Sequence, residues 1–250
     1  MDIPIKTREE IKIMAEGAKI LARIMQELEK RVKPGITTKE LDRVAETLIL
    51  EYGGKCSFKG YQGFPSALCV SINEELVHVI PSGRELKEGD IVSLDLGIKY
   101  KGYHSDMAVT LPVGKISPEA QRLIRVTKKA LKRGIKKVRP GNTFGDIGNT
   151  IQRYVEDQGF NVVRDLCGHG IGRELHEDPK ILNYGKRGSG PEIKEGQVLC
   201  LEPMVTAGDW RLKKSEDGYG FETADGSLSC HFEHEVLVTR NGAKILTVVK

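Results

Sequence analysis

Two aspartates occupy positions where a carboxylate is costly unless something binds it. Asp95 lies inside the apolar run 91–98, and Asp106 follows eleven residues later. A carboxylate inside a strand is unfavourable unless a cation or a hydrogen-bond donor meets it. A two-residue hairpin turn at 101–102 would place Asp106 opposite Gly97. Because Gly97 shares a face with Asp95, both carboxylates would then point to one side, and a divalent metal would remove their repulsion.

A weak internal repeat relates the two halves of the chain. Residues 32–37 resemble residues 138–143, which lie 106 positions further on, and residues 87–95 resemble residues 194–202 at an offset of 107. Two matches in the same order and at nearly the same offset argue against a chance resemblance. The repeat predicts that Glu202 stands in the place of Asp95 on a second strand, which faces the first near a pseudo-twofold axis.

Glu202, Glu233 and His169 complete a set of metal-ligand side chains. Glu233 belongs to a predicted strand that ends in the apolar run 236–238, and His169 lies among glycines that let the backbone approach a ligand. An isolated acid of this kind is more often a capped turn or a salt-bridged strand residue. Four carboxylates and one imidazole together favour a pair of ions of the Mn, Fe, Co or Zn kind. Two bridging carboxylates would hold them roughly 3.5–4 Å apart with a shared water as the nucleophile.

The elements that must position these residues follow from capping signals and periodicity. Four helices are predicted: from Thr7 to before Pro34, from Thr37 to Gly53, from Ser117 to about Val138, and from near Thr143 to Gly159. Strands are predicted at 68–72, 91–98, 107–113, 198–205 and 232–239. Each half therefore reads as two helices followed by strands. We expect one α+β catalytic domain over 1–250, made of two pseudo-symmetric halves at about 8–114 and 115–250.

The composition is typical of a globular protein and adds little further information about function. The 250 residues are 39% hydrophobic and 30% charged, with a net charge of +4, as in an ordinary globular protein. No apolar run approaches the roughly 20 residues that a membrane span needs, and the charged N-terminus has no signal-peptide core. Five scattered cysteines without a CxxC pair favour reduced thiols, and hence a cytoplasmic location without a membrane.

The five ligand-type residues resemble the metal-ligand pattern of the methionine aminopeptidases and their creatinase and prolidase relatives, over essentially the whole chain. The resemblance implies the "pita-bread" fold, a curved antiparallel sheet with two pairs of helices packed on its outer face. It further implies that Asp106 and Glu233 bridge two divalent metals, that Asp95 holds one of them, and that His169 and Glu202 hold the other.

Two segments resemble the methionine branch of the family in particular. Residues 71–81 carry His78, and the motif GHGIGRELHEDP at 168–179 carries His176. In that branch the two histidines bind the scissile amide and stabilise the tetrahedral intermediate, and the acid matching Glu202 also shuttles a proton. An ordinary core or surface histidine is the alternative interpretation of either residue.

The resemblance also implies a narrow apolar pocket for the methionine side chain. It identifies Tyr61, Phe64 and Cys69 as lining residues, with Phe58, Tyr219 and Leu175 as further candidates. The alternative is that these residues are ordinary core. A narrow site would require a small residue after the methionine.

Several positions depart from the family pattern. Val79 follows His78 where glycine is usual, Cys230 and His231 replace Ala-Gln, and Glu235 replaces threonine. Phe58 and Tyr219 also replace pocket residues that are often cysteine and tryptophan. These changes bear on substrate range and metal affinity, and Glu235 is expected either to add negative charge or to hold a partner of a metal ligand.

The predicted function is metal-dependent removal of the initiator methionine from nascent proteins with a small second residue, by a monomeric enzyme. The third helix carries nine basic residues between Arg122 and Arg139, which indicate either a solvated face or docking to ribosomal RNA. Two alternatives remain open: an Xaa-Pro aminopeptidase or prolidase, and a catalytically silent homologue that acts as a binding module.

Overall fold

Local capping places the helices of the chain, whose computed structural model describes residues 3–249. Thr7 and Thr37 each begin a capping box with a glutamate three residues on, and Ser117 caps a helix that starts with proline. Within the described residues the α-helices are α1 (Arg8–Glu29), α2 (Thr38–Glu51), α3 (Pro118–Ile135) and α4 (Phe144–Asp157). The third helix ends three residues before its predicted end, because the chain tightens into i→i+3 turns at Lys137 and Val138.

Short antiparallel strands connect and follow the helices. They are β1 (Lys55–Cys56), β2 (Leu68–Ile72), β3 (Glu75–Val77), β4 (Ile91–Tyr100), β5 (Tyr103–Pro112), β6 (Asn161–Val162), β7 (Gly168–Gly170), β8 (Glu177–Ile181), β9 (Val198–Leu201), β10 (Met204–Thr206), β11 (Leu212–Lys214), β12 (Phe221–Thr223), β13 (Ser229–His231), β14 (His234–Thr239) and β15 (Gly242–Ile245). One sheet pairs β4 with β1, β2 and β5, and another has the order β15-β14-β9-β7-β8. Two three-stranded sheets, β13-β10-β6 and β11-β12-β3, complete the set in the described part of the chain.

The helices pack on the sheets in pairs. Helix α1 packs on β4 and β5, and α2 packs on β1 and β2, whereas α3 packs on β9, β10 and β13, and α4 on β6 and β8. One hydrophobic core joins α1 and α2 to their strands, from Leu21 to Val113. A second core, mostly residues 116–238, joins α3 and α4 to theirs. Burial of these apolar faces holds the helices on the sheets.

The central hairpin has the register that the two aspartates require. Strands β4 and β5 pair so that Asp106 lies opposite Gly97, as predicted. The turn residues Lys101 and Gly102 both have positive φ, of 48° and 90°, as a two-residue turn of this hairpin type needs. Asp95 and Asp106 therefore share one face of the sheet.

Two of the acids lie at breaks between strands. The prediction of one strand at 198–205 is wrong, because Glu202 falls between β9 and β10, and the strand predicted at 232–239 begins two residues late, because Glu233 falls between β13 and β14. Pro203 lacks the N–H that a continuing ladder would need. At this break the chain passes from the five-stranded sheet into the β13-β10-β6 sheet. At Glu233, the backbone N–H donates to the Ala108 carbonyl of β5 at 2.9 Å, and this hydrogen bond holds the segment between β13 and β14 against the central hairpin.

Two isolated bridges recur at the spacing of the sequence repeat. Thr37 pairs with Glu85, and Thr143 pairs with Glu192, which lie 106 and 107 residues further on. Each bridge joins the residue before a helix to the segment that precedes a carboxylate-bearing strand. Over residues 3–249, no helix is both long and apolar enough to cross a membrane.

Candidate metal centre

Three buried acids converge at the edge of the central hairpin. Asp95, Asp106 and Glu233 each offer a carboxylate oxygen, and these three oxygens lie within 4.8 Å of one another. Their exposed fractions are 8%, 4% and 3%. Burial raises the pKa of Asp95 to about 7. Burial, together with the neighbouring acids, raises the pKa values of Asp106 and Glu233 well above their usual range.

The oxygens of this cluster lack hydrogen-bond donors. Asp95 Oδ1, Asp106 Oδ1 and Glu233 Oε1 are buried and have no partner among the described residues. Orphaned carboxylate oxygens in a protein interior are costly unless a cation binds them. An oxygen-rich cluster of this kind fits divalent ions, so the residues present suit the metal that the sequence predicts.

His169 and Glu202 lie together beside the three acids. His169 Nδ1–H donates to the Gly170 carbonyl at 2.8 Å, which leaves Nε2 unprotonated and 3.6 Å from Glu202 Oε1. Burial lowers the pKa of His169 to about 3, so the ring is neutral at neutral pH and able to bind a metal. Asn183 donates to the Glu202 backbone oxygen at 2.9 Å and supports the break in the strand.

The glycines around His169 make room for neighbouring strands. A side chain at Gly168 would collide with the Cys200 carbonyl oxygen, and one at Gly170 would collide with the Asp178 carbonyl oxygen. Because Gly168 and Gly170 have no side chains, β7 can pack closely between β8 and β9. The expectation that these glycines also let the backbone approach a ligand stays a prediction.

His231 is a site residue whose position the sequence reasoning did not identify. Its Nε2 lies 3.6 Å from Glu202 Oε2, on the opposite side from His169. The side chain is buried, neither ring nitrogen has a hydrogen-bond partner among residues 3–249, and burial lowers its pKa to about 3. The departure from the family pattern at this position was a signal, but only the tertiary structure shows that the imidazole contacts Glu202.

Glu235 adds a fifth buried carboxyl group behind the cluster. It is 0% exposed, and neither side-chain oxygen has a hydrogen-bond partner of good geometry among the described residues. Burial raises its pKa to about 8, and nearby Ser105 and the Asp106 backbone lower it only in part. When ionised, Glu235 in turn raises the pKa values of Asp106 and Glu233. A pKa of about 8 keeps most of this group protonated at pH 7, so the expectation that Glu235 adds negative charge or holds a partner of a metal ligand stays a prediction.

The metal-free chain should lose stability as the pH rises from about 7 to about 8. Folded Asp95 and Glu235 hold protons with pKa values of about 7 and about 8, whereas the unfolded values lie near 4. In this range the folded state binds more protons than the unfolded state, so the free energy of unfolding falls with rising pH. The buried histidines do not reverse this trend, because their lowered pKa values keep them neutral when folded, and unfolded histidine is largely neutral above pH 7.

Melting temperatures of the chelated protein across this range measure the effect. A divalent ion should flatten the dependence by holding the acids ionised in the folded state. Glu235→Gln, which removes one of the raised pKa values, should make the dependence shallower. A melting temperature of the chelated protein that is constant or increases with pH would contradict the burial of protonated acids.

The acids form the floor of a cavity of about 520 Å³. Every residue that the sequence analysis named for the site lines this cavity: Phe58, Tyr61, Phe64, Cys69, His78, Asp95, Asp106, His169, Leu175, His176, Glu202, Tyr219 and Glu233. Phe58, Phe64, Cys69 and Leu175 are buried and give the cavity an apolar wall. The Tyr219 hydroxyl donates to the Gly63 carbonyl at 3.1 Å, which holds the aromatic ring at the cavity wall.

His78 and His176 face the open part of the cavity. His78 follows β3 with a left-handed φ of 59°, which turns the chain before Val79, and the Val79 carbonyl accepts from Val70 N–H at 3.2 Å. His176 Nδ1 lies 2.9 Å from the Tyr61 hydroxyl, and its ring packs edge-on against that of His169. Both histidines are solvent-accessible through the cavity, but the protein atoms around them lower both pKa values, that of His78 to about 4.

A buried ion pair holds the loop that carries His176. Lys6 Nζ contacts Glu177, with side-chain exposures of 7% and 13%. Glu177 also accepts from the backbone N–H of Arg173 at 2.9 Å, and so closes the loop on itself. The N-terminal segment is fastened beside this pair, because Lys6 N–H donates to the Gly196 carbonyl at 2.9 Å.

Lys6→Met should lower the free energy of unfolding by on the order of 3 kcal/mol, because it leaves Glu177 buried without its cation. The exposed Lys12→Met, on the first helix, is the matched control and should change stability little. Urea unfolding monitored by circular dichroism measures both. Equal unfolding midpoints for the two variants would show that the ion pair between Lys6 and Glu177 contributes nothing to the free energy of unfolding.

The cavity also contains residues that were not predicted. Lys214 and Phe221 come from the β11-β12 hairpin, and Gln62 and Leu166 come from two loops. This hairpin pairs with β3 through Phe221 and Val77, which carries it to the side of His78. No local sequence signal pointed to Lys214, because the contact depends on pairing between strands far apart in the chain.

Comparisons with known proteins agree with this site. Residues 12–240 match the model of metallopeptidase family M24. The chain is 49% identical to a methionine aminopeptidase of Clostridium perfringens over 99% of this chain and 100% of that one. The crystal structure of a methionine aminopeptidase from Thermotoga maritima superposes with a TM-score of 0.98 at 46% identity, and covers 99% of this chain and 100% of that chain.

A more distant relative has the same fold but a different name and a longer chain. An Xaa-Pro dipeptidase from Bacillus anthracis matches with a TM-score of 0.79 at 25% identity, over 98% of this chain but only 62% of its own. The pita-bread fold expected from the sequence is confirmed by both structural matches. The chain therefore belongs to metallopeptidase family M24, whose peptidases work with bound divalent metal.

Proposed function

We propose that this chain is a methionine aminopeptidase, which hydrolyses the bond after the N-terminal methionine of new proteins whose second residue is small. One observation carries the proposal: five metal-ligand side chains meet at the floor of an apolar cavity, and two neutral histidines face its open part. The methionine aminopeptidases of Clostridium perfringens and Thermotoga maritima, which the chain resembles over their whole length, support the same activity.

Five side chains would hold two divalent ions of the Mn, Fe, Co or Zn kind. In this proposal Asp106 and Glu233 would be shared by the two ions, Asp95 would hold one of them, and His169 and Glu202 would hold the other. The orphaned oxygens of Asp95, Asp106 and Glu233 support this assignment. When bound, such a pair lowers the pKa of a shared water and so supplies the nucleophile.

Glu202 is proposed to move the proton. Its carboxylate lies between His169 and His231, 3.6 Å from a nitrogen of each, and it lines the cavity. In the metal-free chain, burial and the neighbouring acids raise the pKa of Glu202 well above its usual range. With cations bound, its carboxylate would be ionised and could take up a proton from water. The same group then gives the proton to the leaving amine.

His78 and His176 are proposed to bind the scissile amide. Their lowered pKa values keep both rings neutral at pH 7, so each carries one N–H donor. When the Tyr61 hydroxyl donates to His176 Nδ1, the proton of the neutral His176 ring lies on Nε2. This N–H can then donate a hydrogen bond to the substrate carbonyl. A donor aimed at the developing oxyanion stabilises the transition state more than the bound substrate.

The apolar wall is proposed to bind the methionine side chain. Phe58, Phe64, Cys69, Leu175 and Tyr219 present aromatic, sulfur and aliphatic surfaces, which suit a flexible thioether.

Release of free methionine from Met-Ala-Ser, by chelated protein re-supplied with Mn, Fe or Co, tests the proposal. Metal-dependent release from this peptide, with no cleavage of Gly-Pro or Ala-Pro peptides, is the expected result. Cleavage of the Xaa-Pro peptides instead would place the chain with the prolidases. Absence of any cleavage with every metal would favour a silent binding module.

The chain is further proposed to act as one monomeric domain of two halves, at about 8–114 and 115–250. The two hydrophobic cores and the repeated bridges support the two halves. A cytoplasmic location is proposed as well, since nascent proteins are the substrates and all five cysteines are free thiols. Light scattering across protein concentrations tests the monomer.

The basic face of α3 is proposed to dock on ribosomal RNA. Exposed side chains, among them Arg125, Lys129, Lys132 and Lys136, line one shallow surface groove, and none forms an ion pair with an acid between residues 3 and 249. Reversing Lys129, Lys132 and Lys136 to glutamate should abolish co-sedimentation with ribosomes, and added salt should weaken that of the unmodified chain. Reversal of Lys12, Lys19 and Lys39 on the other helix pair is the matched control. Salt-insensitive binding would contradict docking through this face.

A further inference from the structure

Cys200 lies in the middle of a row of chemically active side chains. It belongs to β9 and is paired with His169 of β7 on one side and with Glu235 of β14 on the other. Directly opposed residues of antiparallel strands point to the same face of a sheet, so the three side chains form one row. The thiol is 0% exposed, and Glu202 follows two residues later along the same strand direction.

The row brings sulfur into the proposed metal centre. One atom each from His169, Cys200 and Glu233 lies within 4.8 Å of the others, and all three residues are buried. Glu233 is also a member of the all-oxygen cluster with Asp95 and Asp106, so two donor sets share this residue. Glu233 Oε1 has no hydrogen-bond partner in the described part of the chain, and its side chain is almost wholly buried.

We propose that Cys200 supplies a sulfur ligand to the ion held by His169 and Glu233. The inference rests on the proposed function, because this ion is one of the pair in that centre. On binding, the Cys200 thiol loses its proton to solvent, the sulfur lone pair forms the bond to the ion, and no group is oxidised or reduced. The centre is then asymmetric, with all-oxygen ligands on the Asp95 side and nitrogen and sulfur on the other.

The ligand types predict which cations the metal position beside His169 and Cys200 prefers. Thiolate and imidazole favour Zn, Co and Fe(II), whereas all-oxygen sites suit Mn and Mg. We therefore expect the His169 side of the centre to take a thiophilic divalent ion in preference to Mn. Loss of the sulfur should reduce this preference.

Cys230 shows that burial by itself does not place a thiol in the centre. It is also 0% exposed, but it lies opposite Val205, and its polar neighbours are the hydroxyl groups of Thr110 and Thr127. It belongs to neither set of metal-ligand atoms among the described residues. Cys230→Ser is therefore a matched control for Cys200→Ser.

Absorption spectra of the full chain titrated with Co²⁺ test the proposal. Visible d–d bands report that cobalt is bound, and a near-ultraviolet sulfur-to-cobalt charge-transfer band reports a thiolate ligand. The unmodified chain and Cys230→Ser should show both features. Cys200→Ser should keep the visible bands, lose the near-ultraviolet band, and bind cobalt about 10- to 100-fold more weakly, as for the loss of a residue that supports a metal.

Other outcomes overturn the proposal. Visible bands without the charge-transfer band in the unmodified chain, or a band that persists in Cys200→Ser, would show that Cys200 is not a ligand and would leave the metal centre intact. No bands at all would overturn the centre itself together with this inference. X-ray absorption of the zinc-loaded unmodified chain, with a sulfur expected at about 2.3 Å, gives the answer even if the variant does not fold.

Discussion

Asp106→Asn should reduce the release of methionine by on the order of 1,000-fold and prevent the stable binding of two divalent ions. Asp106 belongs to the all-oxygen cluster and is 4% exposed, and the acids Glu233, Asp95 and Glu235 raise its pKa. Asparagine keeps the shape but offers a neutral oxygen, which cannot offset the charge of two cations. Loss of several kcal/mol of electrostatic stabilisation corresponds to a rate effect of this size. Metal content measured by elemental analysis, beside the peptide assay, checks both parts.

Two comparisons separate the loss of metal from the loss of structure. The metal-free Asp106→Asn chain should be at least as stable at pH 8 as the metal-free unmodified chain, because it contains one fewer buried acid to ionise. Asp157→Asn, at an exposed position on α4, should change neither activity nor metal content. Full activity of Asp106→Asn with two ions bound would overturn the proposed bridging role.

His176→Ala should reduce kcat by on the order of 100-fold with a smaller change in KM. The imidazole is neutral and faces the cavity, and the Tyr61 hydroxyl fixes its ring through a 2.9 Å hydrogen bond. A donor that acts mainly on the developing oxyanion contributes to the transition state more than to binding, so the loss appears in kcat. Steady-state kinetics with Met-Ala-Ser measure the effect.

Tyr61→Phe tests the orientation of the histidine separately. It keeps the His176 imidazole and removes only the hydrogen bond at Nδ1, so a reduction of about tenfold is expected, as for the net loss of one neutral hydrogen bond. Metal content should be unchanged in both variants, since neither residue belongs to the metal-ligand clusters. A rise in KM at constant kcat for His176→Ala would instead indicate a role in substrate binding alone.

Local rules account for much of the fold. The capping boxes at Thr7 and Thr37 and the Ser-Pro start at 117–118 begin their helices at the predicted residues. The turn at 101–102 sets the register of β4 and β5, so the shared face of the two aspartates followed from counting along the chain. In each case the determining contacts lie within a few residues of one another.

Long-range pairing decided the rest of the site. The breaks at Glu202 and Glu233 depend on where two sheets meet, and a pattern of alternating apolar residues does not contain that information. The contact between His231 and Glu202 joins segments about thirty residues apart, and the entry of Lys214 into the cavity depends on the pairing of β12 with β3. A departure from a family pattern marks such a position, but it does not say which neighbour the new side chain contacts.

The sequence by itself predicted the five ligand-type residues and the two histidines that the fold brings to one cavity, and the order of the four helices. It did so because ligand type, spacing and capping are properties of the chain itself. Only the tertiary structure decided that Cys200 stands in a row with His169 and Glu235, and that the side-chain oxygens of Glu235 are buried without a hydrogen-bond partner among the described residues. Those facts depend on which strands lie side by side, and strand neighbours are chosen by the burial of whole faces rather than by any local signal.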